Sequence, residues 1–215
     1  GGLGGLGLRA AGLLSERGAR CVLLVSRGGR VAREGQGLAS RLRSLRGIAQ
    51  AAAYEAADAA ETCALVRRGQ RAVLISVLHA AGASDEGLLS AVTGDRVAWL
   101  FAPKAVGAWR LGCGGASIVL EAQALFSSVA SGLGNVGQAN YAAANGWLDA
   151  MARVQRAHGC VACCVQWPLV SEAGMGAAAA DGASGGGTAI AGLVSIGLEQ
   201  YAACLGARLC AGAGV

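Results

Sequence analysis

Aromatic side chains make up only 4% of these 215 residues and charged ones 14%; there are two prolines and a single lysine, Lys104. Large rings are too few to fill the interior, while hydrophobic residues reach 54%, much of it alanine, beside 36 glycines. Such a composition implies close packing of helices on a sheet through small residues. Long apolar runs are also missing. Nothing approaches the roughly 18 residues needed to cross a bilayer, and the longest candidate, Ile118 to Phe126, is interrupted by Glu121 and reads as a buried strand. The net charge of +5 comes from scattered arginines with no basic run and no interleaved aromatics, so neither nucleic acid nor membrane is expected as a partner, and solvated helix faces explain the charge. A charged n-region followed by an apolar h-region is absent too, which argues against secretion. The expected place is the cytoplasm, or an organelle stroma if a transit peptide lies upstream.

About 215 residues suffice for one compact domain, although the opening at Gly1 reads as the start of a piece of something longer. Eight cysteines are too few for a disulfide scaffold of this size, and most sit among apolar residues, so reduced, buried thiols are expected. His158, Cys160, Cys163 and Cys164 look like half of a zinc site without a second half, and no metal is expected.

Apolar runs alternate with helical periods every 25 to 30 residues or so, the signature of repeated βα units and a mainly parallel sheet. Strands are expected at 21–26, 49–54, 72–79, within 116–126, and at 160–167. Helices are expected at 6–17, 31–45, 59–68, 86–111 and 136–157. Pro103 interrupts the fourth helix, which either kinks there or restarts; a restart puts Lys104, Ala108 and Leu111 on one inward stripe. Residues 174 to 187 are almost all Gly and Ala and read as a linker or a lid. A helix over 188–198 and a last short strand over 205–210 complete the expectation.

The run Gly1-Gly2-Leu3-Gly4-Gly5-Leu6-Gly7 opens the first helix, and glycines there let helix N–H groups approach a pyrophosphate. The next strand ends in Ser26-Arg27. An arginine at that place suits a 2′-phosphate, which favours NADPH over NADH. Asp58, after the following strand, either accepts from an adenine amino group or caps a helix. His79-Ala80-Ala81-Gly82 ends another strand with residues small enough for a cofactor to lie on the backbone.

Lys104, Ser128, Tyr141 and Asn145 form the second constellation. Tyr141 and Asn145 are four apart, so on a helix they share a face. A hydroxyl, a phenol, a carboxamide and one tunable ammonium suggest proton-coupled carbonyl chemistry.

Taken together these segments, with Pro103-Lys104, Phe126-Ser127-Ser128 and the run Gly137 to Asn145, resemble the ketoreductase domain of type I polyketide synthases. The related domain of animal fatty acid synthase is similar, and both belong to the short-chain dehydrogenase/reductase superfamily. The resemblance extends from Gly1 to about Trp167. It implies an α/β Rossmann-like doubly wound parallel sheet, with its first strand apparently missing, so that the strands at 21–25 and 72–78 face each other unpaired. It implies NADPH-dependent reduction of a β-ketoacyl thioester, held on the phosphopantetheine arm of an acyl carrier protein among neighbouring synthase domains. In that reading Tyr141 donates the proton, Lys104 stabilises the phenolate and holds the nicotinamide ribose, Ser128 binds the carbonyl oxygen and Asn145 relays. The cofactor lies on Gly1, Gly2, Leu3, Gly5, Gly7, Ser26, Arg27, Asp58, Ala80, Ala81 and Gly82, as well as Lys104 and Tyr141. Asp85, Glu86, Leu133, Gln138 and Met175 fall on the substrate side. Ser84-Asp85-Glu86 stands where many domains giving the D-configured alcohol have Leu-Asp-Asp, and Leu133 where those giving its opposite often have Trp, which leans towards the D product. Residues 1–170 form the expected reductase core and 171–215 its lid and C-terminal part. A free-standing ketone reductase and a non-catalytic unit bracing a multidomain chain are the competing readings.

Overall fold

The computed structural model describes residues 1–33, 36–71, 74, 76–114, 118, 120–174 and 192–211. Helices and strands alternate as α1 (Gly5–Glu16), β1 (Val22–Ser26), α2 (Leu38–Ser44), β2 (Ala49–Ala53), α3 (Ala59–Arg71), β3 (Ser76–His79), α4 (Gly94–Phe101) and α5 (Gly107–Gly114). They continue as β4 (Ala122–Ser128), α6 (Ala130–Leu133), α7 (Ala139–Ala157), β5 (Ala162–Trp167) and α8 (Leu198–Ala211). All the strand pairs are parallel: Val22 lies opposite Ala49, Ser76 opposite Ala122 and Gln123 opposite Ala162. Parallel neighbours need a long crossover, which the intervening helices supply.

Among the described residues two sheets form, β1-β2 and β3-β4-β5, and β1 and β3 do not pair with each other. Their inner edges line a cleft of about 1480 Å³, with Leu23, Val25, Val77 and Leu78 on its walls. Of the edges expected at 21–25 and 72–78, the described residues form no ladder with each other, and 72, 73 and 75 lie outside the described residues. Gly1 and Gly2 close one end, their nitrogens donating to the carbonyl of Val25 at 3.2 and 2.9 Å. Gly1 also lies so tightly against the Ala80 carbonyl that any side chain there would collide with it.

The scarce rings are concentrated in one core. Phe126 and Trp167 stand 5.7 Å apart, and Trp167 and Tyr201 4.6 Å, packed with Ala10, Leu13 and Leu205. A second cluster joins Leu3, Leu8, Leu24 and Leu38, and a third joins Ala108, Leu125, Leu148 and Ala152. Alanines with no exposed surface at 108, 124 and 144 bear out the small-residue packing that the composition implied.

Several expected elements differ. The stretch 205–210 is helical, because Leu198, Tyr201 and Leu205 recur at helical spacing and bury together in the first core. Of 188–198, the part up to 191 lies outside the described residues; Ile196 bridges Val170, and the helix starts only at Leu198. The helix expected over 31–45 is limited to Leu38–Ser44, after Gly37 in a left-handed conformation with φ 66°. Ala32 instead donates to the Leu3 carbonyl. Strand β4 runs on to Ser128, two residues beyond the expected end. Of the two readings at Pro103, a kink or a restart, no new α-helix starts there. A five-residue π-helical turn, Ala102–Val106, with the proline at its start, where a backbone N–H is least needed, carries the chain from α4 into α5. Cys21, Cys63, Cys113, Cys160 and Cys204 are exposed free thiols rather than buried ones, since they sit at element ends or on outer helix faces.

The helix α8 is anchored by Tyr201, which has no exposed surface and whose hydroxyl donates to the Leu6 carbonyl at 2.9 Å. Tyr201→Ala should destabilise the fold by about 3–5 kcal/mol, and Tyr201→Phe by about 1 kcal/mol, as read by denaturant unfolding.

Candidate active site

The carboxyl ends of β1, β3 and β4 open into the cleft, and the π-helical turn lies beside them. That turn widens the helix at the point where Lys104 leaves it, and Lys104 is only 3% exposed. Its ammonium donates to Asn145 Oδ1 at 2.8 Å and to the Phe126 carbonyl at 3.3 Å, and stands 5.4 Å from the centre of the Tyr141 ring. Burial lowers its pKa to about 8. The neighbouring Gly82 makes room: a Cβ there would come within 2.9 Å of Lys104 Cε. His79, behind the turn, is buried and kept neutral, its pKa pushed down to about 3 by desolvation first and by nearby positive charge. Its Nε2 meets the Pro103 carbonyl at 3.0 Å.

Helix α7 brings Tyr141 and Asn145 to the same face, as their spacing implied. Asn145 is wholly buried; its Nδ2 donates to the Tyr141 carbonyl at 2.8 Å, and its own carbonyl accepts from Ser127 Oγ at 3.2 Å. Tyr141 lines the cleft. Burial raises its pKa, partly offset by side-chain hydrogen bonds with Ser128 and Asn145. Ser128 closes β4 on the cleft wall and its Oγ accepts from the Ala130 N–H at 3.2 Å. All four residues of the second constellation are thus assembled: a phenol and a hydroxyl on the cleft wall, over a buried ammonium fixed by a carboxamide. Such an arrangement can hold a carbonyl oxygen and deliver a proton to it.

At the other end, Gly1, Gly2, Gly5, Gly7, Ser26, Arg27, Ala80, Ala81 and Gly82 line the same cleft. No side chain caps α1, which leaves its first-turn N–H groups available. Arg27 is exposed at the end of β1, and Ser26 Oγ donates to the Arg30 carbonyl at 3.1 Å. Two expected cofactor contacts are not on this wall. Leu3 is fully buried in the second core, its apolar side chain turned inward. Asp58 caps α3 by accepting from the Glu61 N–H at 2.8 Å, so of its two readings the helix cap is the one present.

On the substrate side, Glu86 and Gln138 line the cleft and are joined at 3.2 Å. Asp85 does not reach the cleft, because Arg96 grips both its oxygens at 2.5 and 3.0 Å and Asn140 donates to it at 2.5 Å. The Arg96 and Asn140 bonds hold its carboxyl below the usual range. Leu133 is 66% exposed on α6 and faces away from the cleft lining. Met175 lies outside the described residues.

Sequence reasoning missed Arg96, Asn140, Ser131 and Asp149, which bind the elements of the site together. Asn140 Oδ1 accepts from the Tyr141 N–H at 2.9 Å, and its place next to Tyr141 was the one available signal.

The KR domain family model matches residues 1–172. Polyketide synthase GfsA of Streptomyces halstedii is 41% identical over 172 residues, 78% of this chain but 2% of that protein. Mycoketide-CoA synthase of Mycobacterium tuberculosis is 35% identical over 79% of the chain and 4% of its own length. The chain therefore spans only a small part of these relatives. Among solved structures, one of A-type ketoreductases from a modular polyketide synthase aligns with TM-score 0.83 and 32% identity, covering 98% of this chain and 44% of that one. The first ketoreductase of the tylosin polyketide synthase aligns with TM-score 0.77 and 31% identity over 99% of this chain and 45% of its own. With its parallel α/β architecture and the assembled Lys104, Ser128, Tyr141 and Asn145, the chain belongs to the KR domain family of polyketide synthases, nicotinamide-dependent ketone oxidoreductases of the short-chain dehydrogenase/reductase type.

Proposed function

We propose that this chain reduces a carrier-protein-bound β-ketoacyl thioester to the β-hydroxyacyl thioester with NADPH, as part of a polyketide- or fatty-acid-type synthase in the cytoplasm. The observation that carries the reading is a single cleft with a glycine-lined helix start and Arg27 at one end and the Lys104, Ser128 and Tyr141 groups at the other. Residues 1–170 serve as the reductase core. Residues 171–215 complete the same domain, in keeping with the burial of α8 against β4 and β5.

The residues fit a dinucleotide. Gly2, Gly5 and Gly7 offer backbone without side chains, the uncapped start of α1 favours a pyrophosphate, and Arg27 offers a fork for a 2′-phosphate. Ala80, Ala81, Gly82 and Lys104 would lie along the nicotinamide half. The bound cofactor supplies the hydride. Ser128 Oγ and the Tyr141 hydroxyl hold the carbonyl oxygen, where negative charge grows as the carbon is reduced. Tyr141 gives its proton to that oxygen; burial has kept the phenol protonated for the purpose. The phenolate left behind is stabilised by the Lys104 ammonium, which Asn145 aims towards the Tyr141 ring. The carrier protein and neighbouring synthase domains are the proposed partners.

Tyr141→Phe should lower turnover of a β-ketoacyl thioester by at least about 100-fold and leave NADPH affinity nearly unchanged by fluorescence titration. A variant that keeps most of its turnover makes Tyr141 a packing residue. Separately, NADPH should bind well ahead of NADH, and Arg27→Ala should erase most of that difference, about 1.5–3 kcal/mol for a hydrogen-bonded charge. Equal affinity of the parent for both cofactors contradicts the role given to Arg27.

A further inference from the structure

Asp149 is the third member of the α7 series Tyr141, Asn145, Asp149, each one helical turn after the last. The residue is 9% exposed and follows the buried Asn145 by one turn. Oδ2 accepts from Ser131 Oγ at 2.6 Å and from Gln166 Nε2 at 2.8 Å. Gln166 Nε2 also reaches Ser131 Oγ at 2.9 Å, and Ser131 Oγ lies 2.8 Å from the Ser128 carbonyl. The turn that begins at Ser128 is thereby fixed to α7 at Asp149 and to β5 at Gln166, while the Val129 N–H donates to the Trp167 carbonyl at 3.1 Å. Buried carboxylates are costly unless a partner makes use of their charge. Two donors meet Oδ2, while Oδ1 is buried without an aligned donor.

We propose that Asp149 is a positioning residue of this site: its carboxylate ties the turn carrying Ser128 to the helix carrying Tyr141 and Asn145, and supplies the buried negative charge behind the Lys104 ammonium. The proposal rests on the ketone-reducing reading of the site. The groups acting on Lys104 come from each element packed around it. From β5, Cys164 would help only as a thiolate, but burial and Asp149 drive its thiol far above the usual range. From β3, His79 is neutral, and from α7, Tyr141 and Asn145 carry no charge before the reaction. Among the described residues, Asp149, one helical turn beyond the Asn145 that accepts from Lys104, is the remaining negative charge acting on the ammonium. Burial pushes its own carboxyl up, but the Cys164, Ser131, Gln166 and Ser127 side chains together hold it below the ordinary value, so it stays ionised. Sign follows directly: neutralising Asp149 makes the ammonium less favourable, and Lys104 then loses its proton at a lower pH.

Because Lys104 is the only lysine, a protein made with lysine labelled by ¹³C at Cε gives a single side-chain resonance that reads this titration without any turnover. In Asp149→Asn the Lys104 midpoint should fall by about 0.5 to 1 pH unit, and kcat should fall about 10- to 100-fold with KM for NADPH within about twofold. Ser131→Ala keeps the charge and loosens the turn; it should lower kcat about 3- to 10-fold and leave the Lys104 midpoint in place. A folded Asp149→Asn protein with the parental midpoint, or with the parental kcat, overturns the proposal. Where Asp149→Asn fails to fold, a Ser131→Ala protein with parental kcat overturns it. A parent that reduces no ketone defeats the reading of the site, and the Lys104 midpoint then still decides whether Asp149 acts on the ammonium.

Discussion

An ammonium group buried to 3% exposure dictates much of what surrounds it. Desolvation favours loss of its proton, so acceptors and negative charge have to be brought to it from several elements. β4 supplies the Phe126 carbonyl, α7 supplies Asn145 Oδ1 and, further back, Asp149, and Gly82 after β3 leaves the space. Lys104 itself is admitted by a π-helical turn at Pro103. These features coincide at one point because parallel strands deliver their carboxyl ends to the same side of the molecule. A lysine suits this position because its compact charge is tunable by burial in a way that a guanidinium is not.

The same constraint explains the polar layer behind the site. Ser127 and Ser128 alternate on β4, so their side chains leave opposite faces of the strand. Ser127 binds the Asn145 carbonyl and Ser128 contacts Tyr141. The clamp of Asp85, Arg96 and Asn140 steadies the start of α7 from the opposite side, with Asn140 accepting from the Tyr141 N–H. Tyr141 is therefore held through its backbone, with its ring beside the Lys104 ammonium.

Much of this was legible in the sequence where the signal is local or rare. The βα rhythm located the five strands, the lone lysine marked Lys104, and the spacing of four between Tyr141 and Asn145 placed both on one helix face. Asp149, Ser131 and Gln166 were not legible, because they are common residue types that meet only once β4, β5 and α7 have packed. Asp85 and Leu133 were read towards the substrate, yet one is held by an arginine eleven residues on and the other turns to solvent. Short apolar runs misled for a different reason. Over six residues the periods of strand and helix are hardly distinguishable, and the stretch 205–210 became helix because Leu198, Tyr201 and Leu205 bury on one face.

The central claim is that this cleft brings a nicotinamide hydride and the Tyr141 proton to one carbonyl group. It is tested most directly by incubating the chain with NADPH deuterated at the transferable position of C4 and a β-ketoacyl N-acetylcysteamine thioester, then locating the label by mass spectrometry and NMR. The account predicts a β-hydroxyacyl product with one deuterium on the carbinol carbon for each NADPH consumed. A folded, NADPH-bound protein that consumes none, or that yields product without the label at that carbon, would contradict it.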